Sequence, residues 1–149
     1  TPAEFTVRAQ LGWMMAQLGR AEDGEILLRA ALVLAPPGHP FRPSWYYYLG
    51  MIDLLLGRGD QGVGWLRQAQ VAGGGAYLDA HRFDLTLAAA LAQAGRKEEA
   101  VIPLREALAR QPDLTVEALR NRSPWGSRNP VFRAQLERVF EGLSLAGLP

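Results

Sequence analysis

Leucine, glycine and small residues recur along this chain at a fixed interval, with polar residues filling the positions between them. Leu11-Gly12, Leu49-Gly50 and Leu87-Ala88 align without gaps, as do Gly19-Arg20, Gly57-Arg58 and Gly95-Arg96. Further on, Leu28, Leu66 and Leu104 align, followed by Ala31, Ala69 and Ala107, and every step is 38 residues. A constant period of this length marks a repeat architecture, in which each unit completes its apolar core only against its neighbours. Apolar residues three and four apart predict two helices per unit. Helix A ends at a tight turn at Gly19, Gly57 or Gly95, and helix B runs on to Pro36, Gly74 or Pro112.

The residue types at these positions have physical reasons. Gly12, Gly50 and Ala88 are small enough to let helix A approach helix B closely, and Ala31, Ala69 and Ala107 do the same from helix B. Leu28, Leu66 and Leu104 fill the space between. The glycine after helix A permits the left-handed conformation that ends a helix. Glu22, Asp60 and Glu98 fall in the first turn of helix B, where a carboxylate favours the helix dipole, and Pro36 and Pro112 stop that helix. Gly59, Gly62 and Gly64 weaken the second helix B, since interior glycine costs up to about 1 kcal/mol relative to alanine. Pro103 predicts a bend in the third.

This order of Leu-Gly, Gly, small residue, Leu, Ala and Pro resembles the tetratricopeptide (TPR) family. Unit 3 fits best, as Leu87-Ala88, Gly95, Ala100, Leu104, Ala107 and Pro112, whereas units 1 and 2 carry Gly24 and Gly62 at the small position. The resemblance implies an all-α, right-handed TPR-type solenoid in a single domain, with repeats over about residues 5–38, 43–76 and 81–114. The family repeat is shorter by four residues, which places the excess in the Gly38–Arg42 and Gly73-Gly74-Gly75 connections.

The C-terminal part does not continue the pattern. Thr115 to Asn121 reads as a short helix and Ser123-Pro124-Trp125-Gly126 as a loop. Asn129 then caps a helix with Pro130 at its first position. Phe132, Leu136, Val139, Phe140 and Leu143 give this helix an apolar stripe, and Gly147 ends it. These capping helices, about 115–146, are expected to cover the last repeat. The stretch Leu119-Arg120-Asn121-Arg122-Ser123-Pro124-Trp125, together with the Gly142-Leu143…Ala146-Gly147-Leu148-Pro149 ending, is similar to the C-terminal TPR region of bacterial class III adenylate/guanylate cyclases and their winged-helix regulator cousins. In that group the cyclase or DNA-binding domain lies upstream, so the resemblance implies a C-terminal regulatory fragment of a cytoplasmic signalling protein.

Composition narrows the chemistry. The 149 residues carry a net charge of +1, which makes no global case for nucleic acid or an acidic membrane. The absence of cysteine removes disulfides, thiolate catalysis and cysteine metal sites. No apolar run approaches the roughly 18 residues of a membrane span. All basic residues except Lys97 are arginine, as suits a GC-rich bacterial genome.

Chemical motifs are few. Gly57-Arg58-Gly59-Asp60-Gln61-Gly62 matches G-x-G-x-x-G, but Leu54-Leu55-Leu56 before it ends a helix where a dinucleotide fingerprint requires a strand. His39 and His81 stand apart from other ligand types, and no nucleophile with a neighbouring base can be assembled. The expectation is therefore a non-catalytic protein-interaction module with no cofactor or metal. The other reading of the same pattern is a free-standing chaperone or scaffold that holds a peptide or secreted client.

Helix A carries a second apolar stripe suited to that role. Tyr47, Met51 and Leu54 align with Trp13 and its neighbours and with Leu85, at positions that line the concave peptide groove in TPR proteins. Trp13, Gln17, Tyr47, Met51, Leu54, Arg82 and Leu85 are thus the expected partner-binding groove, open to a protein or peptide ligand or to a second copy, the other reading being a groove filled internally by the last helix. Trp13 is the expected exposed anchor, because it lies far round helix 1A from the Val7, Leu11, Met14, Met15 and Leu18 stripe taken as core. Asp53 stands where the other units carry Met15 and Leu91 and requires a partner, an arginine being the expected one.

Overall fold

The computed structural model describes residues 2–73 and 79–149. Among them all regular structure is helical: α1 (Pro2–Gln17), α2 (Ala21–Leu34), α3 (Arg42–Leu55), α4 (Gly59–Val71), α5 (Ala80–Gln93), α6 (Lys97–Arg110), α7 (Val116–Asn121) and α8 (Pro130–Ala146). The fold is all-α. Helices α1–α2, α3–α4 and α5–α6 form three hairpins; α2 packs on α3 and α4 on α5, so the hairpins follow one another in register. The Gly74 stop and most of the Gly73-Gly74-Gly75 connection lie outside the described residues.

Each hairpin is closed as the periodicity demands. Gly19, Gly57 and Gly95 take φ values of +81°, +77° and +77°, the left-handed region in which a side chain is strained. Beyond each turn the two helices cross at a pair of small residues. A Cβ on Gly24 would lie 2.2 Å from the Gly12 carbonyl oxygen, and one on Gly12 would lie 2.8 Å from that of Gly24. Gly50 and Gly62 repeat the arrangement in unit 2, and unit 3 uses the buried pair Ala88 and Ala100. Helix α6 continues past Pro103 to Arg110.

Gly64 differs from its neighbours. It is helical, exposed, and a Cβ there meets nothing within 4 Å. Gly64→Ala is expected to stabilise the protein by about 0.5–1 kcal/mol by lowering the entropy of the unfolded chain. Gly62→Ala, whose Cβ would lie 2.8 Å from Leu54 Cδ1 and 3.1 Å from the Gly50 carbonyl oxygen, should instead destabilise it by about 1–2 kcal/mol through overpacking. Urea denaturation of the two variants checks both signs; equal effects would contradict the close helix crossing at Gly50 and Gly62.

Helix α8 leaves the hairpin register and lies across α5, with further contacts to α3 and α6. Asn129 caps it by accepting from the Val131 and Phe132 amides, and Gly147, at φ +113°, ends it. A Cβ on Gly142 would lie 2.6 Å from the Ala89 carbonyl oxygen, so this glycine lets α8 settle directly on the α5 backbone. The α8 stripe Phe132, Leu136, Val139, Phe140 and Leu143 is fully buried, in one core with Tyr47, Met51, Leu54, Leu85 and Leu104.

Two expectations about α1 reverse. The stripe taken as core is largely outside: Val7, Leu11, Met14 and Leu18 are 53%, 43%, 52% and 61% exposed. The face that does pack carries Phe5, Ala9, Gly12 and Ala16, all buried. Trp13 is half-buried rather than exposed, stacked on Tyr48 with ring centroids 5.0 Å apart and meeting Phe132 edge-on at 6.3 Å. A helix that uses alanine and glycine to approach its neighbours closely turns its small residues inward, and hydrophobic size alone points the wrong way.

Candidate functional site

The structure brings the expected groove residues together on α1, α3 and α5, and then covers most of them. Tyr47, Met51, Leu54 and Leu85 are buried beneath α8 and the loop before it, so they do not form the open surface expected of them. The physical reason is apolar: the groove residues and the α8 stripe Phe132, Leu136, Val139, Phe140 and Leu143 remove one another's hydrophobic surface from water.

The loop occupant is the segment Ser123–Ser127. Trp125 inserts between α3 and α5 and is buried. Its indole N–H is shared between Tyr47 Oη and Thr86 Oγ1, 3.2 Å from each. Thr86 donates its hydroxyl proton to the Arg82 carbonyl oxygen at 2.7 Å. Tyr47 must therefore donate to Thr86 across their 3.1 Å contact. Burial raises the Tyr47 pKa, which keeps that proton in place.

Gln17 and Arg82 hold the backbone of the same segment. Gln17 Nε2 donates to the Trp125 carbonyl oxygen at 3.3 Å, and Arg82 Nη1 donates to that of Pro124 at 3.2 Å. The Arg82 guanidinium also lies 5.9 Å from the centre of the Tyr47 ring. Ser127, at φ +64°, donates from Oγ to the Gln17 carbonyl oxygen, and Arg138 donates to that of Leu55. Of the expected groove, Gln17, Tyr47 and Arg82 thus contact a turn, in which Gly126 and Ser127 take left-handed φ values, while Met51, Leu54 and Leu85 lie in the same buried core as Trp125.

Sequence reasoning missed two parts of this site. Thr86, one turn from Arg82, and Trp125 itself complete the polar nest. The same register also places Thr6 and Ser44 at the position of Arg82, and Gln10 and Tyr48 at that of Thr86. In units 1 and 2 these residues, with Phe41 and Trp45, line an open pocket of about 240 Å³ that α8 and the loop leave uncovered. Reading the helix A pattern one position to the side of the apolar stripe would have found them.

The expected arginine at Asp53 is Arg58. Asp53 is 1% exposed, and its Oδ1 lies 3.5 Å from Arg58 Nη1. The same Nη1 lies closer, at 2.9 Å, to Glu25 Oε2, and Glu25 also accepts from Arg29 at 3.1 Å. Asp53 Oδ2 is buried without a hydrogen-bond partner. Burial, with Glu25 adding to it, raises the Asp53 pKa to about 6. The network joins units 1 and 2.

The Gly57–Gly62 motif follows helix α3, not a strand. A Cβ on Gly59 would lie 2.8 Å from the Ala94 backbone nitrogen, so this glycine serves the packing of α4 on the end of α5. Among the described residues no helix is long and apolar enough to cross a membrane. No family model, curated protein or solved structure matches the chain.

Proposed function

We propose that this chain is a non-catalytic protein-interaction module that binds a peptide segment along the open part of its helix A groove. The observation that carries this is the groove's own occupant. In unit 3 the equivalent positions, Arg82 and Thr86, already hold Ser123–Ser127 by a backbone carbonyl and a tryptophan anchor. Thr6, Ser44, Gln10 and Tyr48 repeat those positions beside the open pocket, with hydroxyl and amide groups for a peptide backbone and aromatic rings for an apolar side chain. The 38-residue period and the small-residue crossings favour reading the hairpins as TPR-type repeats in a right-handed solenoid. The Leu119–Trp125 and Gly142–Pro149 stretches favour a cytoplasmic, adenylate-cyclase-like bacterial signalling protein as the parent, in which this module would serve regulation.

Selection of random displayed peptides against the wild-type protein should enrich sequences with an aromatic anchor. Gln10→Arg and Ser44→Arg, which fill the pocket from two helices, should remove that enrichment while leaving the melting temperature nearly unchanged. Peptides enriched equally on the wild type and both variants would overturn the assignment of the groove.

A further inference from the structure

The open pocket between α1 and α3 repeats the place that Trp125 fills between α3 and α5. By the 38-residue register Tyr48 stands for Thr86, Ser44 for Arg82 and Ala9 for Tyr47. In the filled groove the chain itself satisfies these groups. Thr86 and Tyr47 accept the indole N–H, and Arg82 donates to the Pro124 carbonyl oxygen. In the open one, Gln10, Ser44 and Tyr48 make no side-chain hydrogen bond among the described residues. Ser44 and Tyr48 belong to unit 2, against which the first hairpin is stacked, and that stacking leaves both facing the pocket.

We propose, resting on the groove reading above, that this pocket takes a single tryptophan side chain and reads its indole N–H through the Tyr48 hydroxyl. Size limits the guest: at about 240 Å³ the pocket falls below the roughly 300 Å³ at which small-molecule sites begin, so it has room for one inserted side chain. Phe41, Trp45 and Tyr48 supply aromatic walls, on which an aromatic guest packs offset or edge-on. The Tyr48 ring is itself held, stacked on Trp13 at 5.0 Å, which fixes where its hydroxyl lies.

Chemistry narrows the guest further. No charged side chain lines the pocket, so a carboxylate would lose its water without gaining a cation. An indole N–H needs one acceptor. With Ala9 at the Tyr47 position, the Tyr48 hydroxyl is the acceptor that the register supplies. Tyrosine is longer than threonine by a ring, so the guest indole sits nearer the mouth than Trp125 does. A ring without the N–H would cover that hydroxyl and leave it unpaired, which is how a polar group in an apolar site rejects the wrong guest.

The probes are two neutral peptides. One is residues 123–127, acetylated and amidated; the other carries benzothienylalanine for the tryptophan, a ring of nearly equal size whose sulfur replaces the N–H. Isothermal titration into the whole wild-type chain should show the tryptophan peptide binding at least about fivefold more tightly, the worth of roughly one hydrogen bond. Tyr48→Phe, which keeps the stacked ring, should bring that peptide down to the analogue's affinity and leave the analogue unchanged. Equal affinities on the wild type overturn the inference, and that comparison is independent of any variant's folding. A Tyr48→Phe protein that weakens both peptides alike overturns it too, as does a tryptophan peptide that does not bind. In each of those cases displayed-peptide selection decides the groove reading separately: enrichment that Gln10→Arg removes keeps it, and no enrichment ends both.

Discussion

Trp125→Ala should lower the unfolding free energy by about 3–5 kcal/mol, the usual range for truncating a buried tryptophan. The side chain is buried between α3 and α5, with Phe140 of α8 tilted against it at 6.1 Å. Its removal opens a cavity at the junction of three helices and also leaves Tyr47 Oη and Thr86 Oγ1 without their shared donor. Trp125→Phe separates the two contributions. It keeps most of the apolar volume and loses the N–H, and should cost about 1–2 kcal/mol for the lost hydrogen bonds to Tyr47 and Thr86, which still bond to each other. Urea denaturation with an unchanged m-value gives both numbers. A loss under about 1 kcal/mol for Trp125→Ala would mean that the segment is not held in the groove, and the internal precedent for peptide binding would go with it.

That precedent lay within reach of the sequence only in part. The period, the turns and the helix crossings were legible because they depend on backbone conformation and close approach, which few residue types satisfy. Gly12 with Gly24 and Gly50 with Gly62 announce a crossing wherever they occur. Asn129-Pro130 and Gly147 fixed the ends of α8 for the same reason. Which face of α1 turns inward was not legible from hydrophobic size. Leu11 and Met14 look like core, yet the packed face belongs to Ala9, Gly12 and Ala16. Inter-hairpin faces carry large apolar residues in every unit, and whether they are covered depends on the neighbour rather than on the helix itself.

The groove was legible as a set of residues and illegible as a surface. Tyr47, Met51, Leu54 and Leu85 do converge, but their occupant comes from a loop that begins 38 residues beyond Leu85 and follows no repeat. Only the stripe on α8, matched in length and character to an otherwise bare groove, hinted that the two would meet. Arg82 and Gln17 were found for their polarity, and their partners turned out to be backbone carbonyl oxygens of the chain itself.

Asp53 provides the last expected result, a pH-dependent stability that its neutral isostere should lack. The folded state raises its pKa from 3.8 to about 6, chiefly by burial and secondarily through Glu25, with Arg58 opposing. The folded protein therefore binds this proton more tightly than the unfolded chain does. The corresponding stability is fully present below about pH 4, falls away as pH rises through about 6, and is absent above it. Arg58 cannot hold the carboxylate well, because its Nη1 lies 2.9 Å from Glu25 and 3.5 Å from Asp53. Asp53→Asn keeps the shape and removes the buried charge. At pH 7.5 it should be more stable than the wild type by about 1–3 kcal/mol, a shift of one pKa unit corresponding to about 1.4 kcal/mol. The gain should shrink as pH falls from about 6 toward 4, where the wild-type carboxyl is itself neutral. Taking the difference between the two proteins at each pH cancels the titration of every other carboxylate. A difference that stays constant with pH, or an Asp53→Asn protein less stable than wild type at about pH 7.5, would show that Arg58 compensates the buried charge after all.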